Sequence, residues 1–173
     1  MRRKSFARQS CPIARAAEIT GDAWCLLILR NAFLGLRHFQ ELEERMGIAP
    51  TTLARKLELL TQAGLLERQR YSQHPPRERY ELTDMGRDFL PVLLALATWG
   101  NRWLAPEGAS IQCAEPETGR TLDPVLIDRA SGRELRAGSV ALKPGPAARG
   151  ELRRSLSPPR LLGVRSTLHS EST

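Results

Sequence analysis

The strongest constraint on the fold is a pair of short amphipathic segments within residues 38–64, separated by Gly47. The first, residues 38–46, repeats apolar side chains at helical spacing, and Gly47 follows where a helix end favours a left-handed residue. The second begins at Pro50, which suits the first turn of a helix, and Gly64 marks its end. The apolar positions are Phe39, Leu42 and Met46, then Leu53, Leu57 and Leu60. Two short helices are therefore predicted on either side of a tight turn.

A β-hairpin is predicted directly after these helices. Residues 65–72 and 77–83 have strand-like composition, and a polar, proline-rich stretch joins them. Helix, tight turn, helix and hairpin is the order of a winged helix-turn-helix domain, whose second helix enters the major groove of DNA. The predicted fold is mainly α with a small β-wing.

Further helices are predicted on both sides of this unit. Residues 12–20 form a short helix, and Asp22 is a typical N-cap for an apolar helix to about residue 33. Thr83 is a typical N-cap for a long helix to about residue 104, and Pro91 predicts a kink or a break near the start of that helix.

The second helix of the pair carries groups that suit DNA. If its leucines face the core, hydroxyl and basic side chains of its N-terminal half stay exposed, where they can reach phosphates and base edges. Arginine is suited to a bidentate contact with guanine. The candidate DNA-binding residues are Thr51, Thr52, Arg55 and Lys56 on this helix and Ser72, His74 and Arg77 on the hairpin. One such helix alone is more typical of an ordinary surface helix, but the ordered set of elements favours DNA binding.

The charge balance agrees with a polyanionic partner. The chain carries 26 basic and 19 acidic side chains, a net charge of +7. Residues 1–104 hold 16 basic and 11 acidic side chains, so +5 of this charge lies with the predicted DNA-binding elements. Residues 1–10 are interpreted as a basic N-terminal arm.

Composition also argues against other classes. Three widely spaced cysteines favour a reducing, cytoplasmic setting over a disulfide framework. The longest apolar runs are shorter than the roughly 18 residues that a membrane span needs, so no membrane contact is expected. The three histidines are scattered and no phosphate-binding or nucleophile motif is found, which predicts neither an enzyme nor a cofactor.

Residues 11–104 resemble the HxlR family of bacterial regulators. The matching segments are Cys11-Pro12-Ile13-Ala14-Arg15-Ala16, Trp24-Cys25-Leu26-Leu27-Ile28-Leu29-Arg30, Phe39-Gln40-Glu41-Leu42, Tyr71-Ser72, Pro75-Pro76-Arg77 and Tyr80-Glu81-Leu82-Thr83 with Gly86. The resemblance implies a homodimeric winged-helix protein that binds double-stranded operator DNA as a transcriptional repressor or activator. A departure is Ala49, where the family usually places a serine that caps the recognition helix.

The family's dimer contacts come from the N-terminal helix and the long C-terminal helix. The apolar side chains of the predicted C-terminal helix agree with such a dimer contact, because they recur at spacings of 3 and 4 residues along one side of that helix. The candidate dimer residues are Ile13, Val92, Leu96, Trp99 and Trp103. A protein-interaction module without specific DNA binding is the alternative function.

The chain beyond residue 104 changes character. Residues 105–146 are interpreted as a small β extension with a strand at residues 124–128 and two related turns, residues 118–122 and 131–135. The extension resembles a zinc ribbon of some family members, but Cys113 is its only cysteine, so no metal is predicted. Residues 147–173 are rich in Pro, Gly, Ser and Arg and are predicted to be a disordered basic tail that adds general DNA affinity.

Cys11 is a candidate sensor of oxidants or small electrophiles. It precedes Pro12 at a predicted helix N-terminus, where the helix dipole favours a thiolate, and Arg8 and Arg15 add positive charge. In the HxlR family a cysteine at this position resembles the redox-sensing residue of several members. The alternative is a small residue packed at the dimer seam. Cys25, inside an apolar run, is predicted to be inert core.

Overall fold

The structure is a computed structural model that describes residues 5–74 and 76–163, and Pro76 is described by its backbone only. Its first eight elements follow the predicted order of helices and hairpin. They are α1 (Pro12–Thr20), α2 (Ala23–Phe33), α3 (Phe39–Met46), α4 (Pro50–Gln62), β1 (Leu66–Gln73), β2 (Pro76–Leu82), α5 (Asp84–Arg87) and α6 (Leu90–Trp103). Strands β1 and β2 pair antiparallel as the wing, with Leu66 opposite Leu82 and Gln73 opposite Pro76. The predicted fold, mainly helical with a small β-wing, is confirmed.

The core of this part lies where α2, α3, α4 and the base of the wing meet. The apolar residues predicted on one side of α3 and α4 are buried there, together with the central helix α2 and the first residues of the wing. The fully or nearly fully buried members are Cys25, Ile28, Leu29, Leu42, Ile48, Leu53, Leu57, Leu60, Leu65, Leu66 and Tyr80. Burial of each leucine or isoleucine in this set contributes about 1.5 to 3 kcal/mol. This core fixes how α4 lies on α2 and which side of α4 remains outside.

The helix ends follow the chemistry of their cap residues. Asp22 accepts a hydrogen bond from the backbone N–H of Trp24 at 3.0 Å, and Thr83 accepts one from Gly86 at 3.0 Å. Gly47 ends α3 at φ 59° and ψ 27°, a left-handed conformation that side-chain-bearing residues adopt at a cost. These three predicted caps are confirmed.

The long helix predicted from Thr83 is interrupted. Residues 84–87 form the short α5, and α6 starts at Leu90 with Pro91 in its first turn. Proline has no N–H for the helical ladder, so the preceding turn ends before it. The predicted break near Pro91 is confirmed, and the helix that follows it is shorter than the predicted one.

The segment ahead of α1 is held by one glutamate. Glu18 accepts a hydrogen bond from the Ser5 hydroxyl at 3.0 Å and another from the backbone N–H of Phe6 at 2.9 Å. Residues 5 and 6 of the predicted basic arm therefore contact α1. Residues 1–4, which hold three of the arm's basic side chains, lie outside the described residues.

The chain divides into two compact units after Thr121. Near this boundary β3 (Cys113–Ala114) pairs with β4 (Thr121–Leu122), and in the second unit β5 (Ala141–Leu142) pairs antiparallel with β6 (Arg160–Leu161). Helix α7 (Gly150–Ser155) lies between β5 and β6 in the sequence. Among the described residues, no helix is both long and apolar enough to cross a lipid bilayer.

Two predictions for the second unit are wrong. Residues 124–128 do not form a strand, because only a single bridge from Ile127 to Glu134 is made. Residues 147–163 are ordered rather than disordered: Ala148 is 6% exposed, and backbone bonds join Gly138 N–H to Leu162 O and Leu162 N–H to Val140 O. These hydrogen bonds join distant parts of the chain, and they offset the weak propensity of a Pro- and Arg-rich segment for regular secondary structure. Residues 164–173 of the predicted tail lie outside the described residues.

The two predicted related turns have the same internal structure. In the first, Thr118 donates its hydroxyl to Glu115 at 2.6 Å, and in the second Ser131 donates its hydroxyl to Asp128 at 2.5 Å. Gly119 and Gly132 each adopt φ 68° at the same place in the turn. The sequence repeat is therefore a structural repeat.

Candidate nucleic-acid interface

Helix α3 starts with a carboxylate that binds its own N-terminus. Glu41 accepts the backbone N–H groups of Arg37 and His38, each at 3.1 Å. The two hydrogen bonds, that of His38 first, hold the pKa of Glu41 below its usual range. Because the residue is ionised at neutral pH, it fixes the start of α3.

Helix α4 presents a narrow polar surface at its N-terminal half. Leu53, Leu57 and Leu60 are fully buried beneath it, so the helix cannot rotate without opening the core. Thr51 and Arg55 are exposed and Thr52 is half-buried. These three predicted residues share the accessible part of the helix, as the prediction required. Ala49, the N-cap, makes no side-chain hydrogen bond, so the missing cap predicted from the sequence is confirmed.

Lys56 does not belong to this surface, and its prediction as a DNA contact is corrected. Its side chain is 9% exposed, and its Nζ lies 2.6 Å from Oδ2 of Asp22. Residue 56 is three positions after Leu53 and four before Leu60, so it lies on the buried side of the helix. The ammonium group is the main reason that the pKa of Asp22 is lowered. The helical spacing was the signal that could have shown this.

The wing tip carries the other predicted contacts. Ser72 is half-buried and lies opposite Arg77 in the ladder, while His74 and Arg77 are exposed. A β-bulge between Arg70 and Ser72 lies just before the tip. The tip thus presents one hydroxyl, one imidazole and one guanidinium.

The base of the wing is largely charge-compensated. Arg68 pairs with Glu58 at 2.8 Å and with Glu78 at 3.3 Å, and Arg79 lies 3.2 Å from Glu81. Arg70 is exposed, and it makes no ion pair within residues 5–74 and 76–163. It is a further candidate DNA contact that the sequence analysis missed, because strand residues of the hairpin were assessed only near its tip.

The segment ahead of α3 joins the wing to the helix pair. The backbone N–H of Tyr80 donates to Arg37 O at 2.8 Å, and His38 forms a β-bridge with Arg79. The His38 ring also packs edge-on against Tyr71, with 5.0 Å between ring centroids. These contacts join the wing to the start of α3.

A second surface of this part is apolar and uncovered. Helix α6 exposes one side over its whole length, with Trp99 55% and Trp103 68% exposed. Val92 and Leu96 lie on the same side, each 45% exposed, and Ile13 of α1 is 73% exposed. All five predicted dimer residues are therefore accessible in the single chain.

Cys11 occupies the N-cap position of α1, directly ahead of Pro12, and is half-buried. Arg8 and Arg15 are both exposed nearby in the sequence. Cys25 is fully buried, and burial raises the pKa of its thiol. The three cysteines are free.

Residues 19–108, just over half of the chain, match the family model described as HxlR-like helix-turn-helix. The chain belongs to this family. An uncharacterized helix-turn-helix-type transcriptional regulator of Mycobacterium tuberculosis is 40% identical over 141 residues, which cover 81% of this chain and 89% of that one. The resemblance to the HxlR family is thus confirmed, and the chain belongs to a family of transcriptional regulators.

Two solved structures extend the comparison. A candidate transcription factor of Pseudomonas aeruginosa, PA1374, is 44% identical with a TM-score of 0.62, covering 84% of this chain and all of that one. The redox regulator HypR in its reduced form is 27% identical with a TM-score of 0.51, covering 56% of this chain and 99% of that one. The proteins matched are regulators rather than enzymes.

Proposed function

We propose that this HxlR-type regulator binds a pseudo-palindromic operator in double-stranded DNA as a homodimer, in the cytoplasm where chromosomal DNA lies. The observation that carries the proposal is the N-terminal half of α4, where Thr51, Thr52 and Arg55 lie on one accessible surface above three buried leucines. A recognition helix needs such a rigid backing, because base contacts tolerate little displacement.

Each group on this surface has a distinct role in the proposal. Arg55 contacts the O6 and N7 atoms of a guanine in the major groove, while Thr51 and Thr52 contact phosphate or a thymine methyl. His74, Arg77 and Ser72 at the wing tip contact the DNA backbone beside the groove, and Arg70 adds a further phosphate contact. Arg55 gives sequence preference, and the wing residues add affinity that depends on salt.

The homodimer is proposed from the uncovered face of α6. Four large apolar side chains on one side of this helix form a patch of a kind that monomers rarely leave in water. A second copy of the chain is the occupant that the family resemblance implies. Two α4 helices about 34 to 36 Å apart then meet successive major grooves on one side of the duplex.

The test is a gel shift with the DNA upstream of the chain's own gene. Arg55→Ala is expected to weaken operator binding by about 1 to 3 kcal/mol and to relax sequence preference, while Arg77→Ala weakens binding to all sequences evenly. Arg120→Ala is the matched control, because this exposed arginine pairs with Glu115 at 3.5 Å in the extension. If the full-length protein binds neither operator nor unrelated DNA, the alternative of a protein-interaction module takes the place of this proposal.

We further propose that Cys11 makes operator binding responsive to oxidants or small electrophiles. The thiol lies at the start of α1, the helix that also exposes Ile13, so modification there would disturb the proposed dimer. Similarity to the redox regulator HypR supports the proposal. Operator affinity before and after diamide is expected to change in the wild type and to stay constant in Cys11→Ser. Equal responses in the two proteins would leave Cys11 as a packing residue.

A further inference from the structure

The second unit carries a concentration of basic side chains around α7. Residues 143–163 hold five basic residues and one acidic residue, Glu151, which gives this stretch a net charge of +4. The five basic residues are Lys143, Arg149, Arg153, Arg154 and Arg160, and all of them are exposed. We call these five residues the α7 basic surface. A compact segment with this charge carries a substantial self-repulsion unless an anion offsets it.

Three of the four arginines of this surface donate hydrogen bonds to neutral backbone carbonyl groups. Arg149 donates to the carbonyl oxygens of Pro146 at 2.9 Å and Ala148 at 3.1 Å, and Arg153 donates to the same Ala148 oxygen at 3.2 Å. Arg160 donates from Nε to Ser155 O at 3.1 Å. A carbonyl oxygen orders a guanidinium without cancelling its charge. None of the five residues forms an ion pair within the described ranges, residues 5–74 and 76–163.

Arginines just outside this surface behave differently. Arg120 pairs with Glu115, and Arg136 pairs with Glu134, so these two charges are compensated locally. The five basic residues around α7 therefore keep their positive charges available, whereas Arg120 and Arg136 do not.

The packing of α7 keeps these groups outward. Leu152 and Leu156 are half-buried, and Ala148 is 6% exposed just ahead of the helix. These apolar residues are the least exposed part of the segment, and the arginines occupy exposed positions. Arg149, the N-cap residue, and Arg153 both donate to the Ala148 carbonyl oxygen, so their guanidinium groups lie close together at the helix start.

We propose that the α7 basic surface is a second DNA-binding surface, which contacts the phosphate backbone without reading sequence. The guanidinium group presents several N–H donors in a plane, so an arginine that donates to a carbonyl keeps donors for phosphate oxygens. Double-stranded DNA supplies phosphates at regular spacing, which suits several ordered arginines better than isolated anions do. The proposal rests on the proposed DNA-binding function, and it extends that function beyond the winged helix-turn-helix.

The test compares two double variants with the same change in charge. Arg153→Gln with Arg154→Gln removes two members of the surface, and Arg120→Gln with Arg136→Gln removes two compensated arginines as the control. In the full-length protein, the first variant is expected to lower the slope of log affinity against log salt by about 1.8, since each phosphate contact contributes about 0.9. The control is expected to keep the wild-type slope. Both operator and scrambled DNA should be affected equally by the first variant.

Three further measurements separate the outcomes. Arg153→Lys with Arg154→Lys should keep most of the slope, and circular dichroism of each variant shows whether the fold is retained. Equal slopes for the two glutamine variants would overturn the proposal, as would loss of binding to phosphatidylserine vesicles with unchanged DNA binding. If the wild type shows no operator preference, the proposed operator function fails, but the slopes on scrambled DNA still decide the role of the α7 basic surface.

Discussion

The ion pair between Lys56 and Asp22 predicts a specific energetic signature. It joins α4, the proposed recognition helix, to the N-cap of α2, with Nζ 2.6 Å from Oδ2. The lysine side chain is 9% exposed and the aspartate side chain 29% exposed. Removing one partner of a fully buried pair costs about 3 to 5 kcal/mol, and a surface pair contributes at most about 1 kcal/mol. Because the burial of this pair is intermediate, Lys56→Met is predicted to lower the free energy of unfolding by about 2 kcal/mol.

Removing the acidic partner should lower the free energy of unfolding further than removing the lysine does. Asp22→Asn keeps an oxygen that can cap α2 but leaves the buried ammonium without its carboxylate, which predicts a loss of about 3 kcal/mol. The double variant should recover part of these losses, because neither partner is then left alone. Urea unfolding of the four proteins at pH 7 gives the coupling free energy, expected at about 1 to 3 kcal/mol.

DNA binding separates this role from a direct contact. Lys56→Met should leave the salt dependence of DNA affinity unchanged, because the ammonium is turned toward Asp22. A coupling free energy near zero, or a drop in the salt slope of about 0.9 for Lys56→Met, would refute the structural role and restore Lys56 as a phosphate contact.

Four other changes have defined outcomes. Because the ion pair lowers the pKa of Asp22, its stabilisation is complete above about pH 4 and is lost as the pH falls through the lowered value, so acid titration should destabilise the wild type more than Asp22→Asn. Ala49→Ser should raise the free energy of unfolding by about 1 kcal/mol by capping α4, as seen in thermal unfolding. Gly86→Ala should cost about 2 kcal/mol or more in urea unfolding, because its Cβ would collide with the carbonyl oxygen of Leu65. Trp99→Ser with Trp103→Ser should convert the proposed dimer into a monomer by light scattering, and a wild type that is already monomeric at micromolar concentration contradicts the dimer.

Local chemistry explains which parts of the fold could be predicted. The caps at Asp22, Gly47 and Thr83 depend on one side chain or one backbone conformation, so the sequence alone locates them. The accessible side of α4 could likewise be predicted from the spacing of three leucines. Lys56 was misplaced because its residue type was given more weight than its position on the helix. Its partner Asp22 lies 34 residues away, and a local pattern does not show such a contact.

The second unit depends even more on contacts between residues that are far apart in the sequence. Its β5–β6 pair joins residues about twenty positions apart, and each strand has two residues. Such short strands have no readable alternation, and the intervening segment has the composition of a disordered chain. The repeated turns were predictable because their Gly-Arg pairs recur in sequence, although their Glu115–Thr118 and Asp128–Ser131 hydrogen bonds were not.

Selection of binding sites from random double-stranded DNA tests the central claim most directly. The wild type is expected to enrich two inverted half-sites whose centres are about 10 base pairs apart, with a guanine in each. Arg55→Ala should lose the preference at that guanine and keep the spacing, because the dimer and the wing are unchanged. Enrichment of no sequence by the wild type, or an unchanged preference in Arg55→Ala, would contradict the assignment of α4 as the recognition helix.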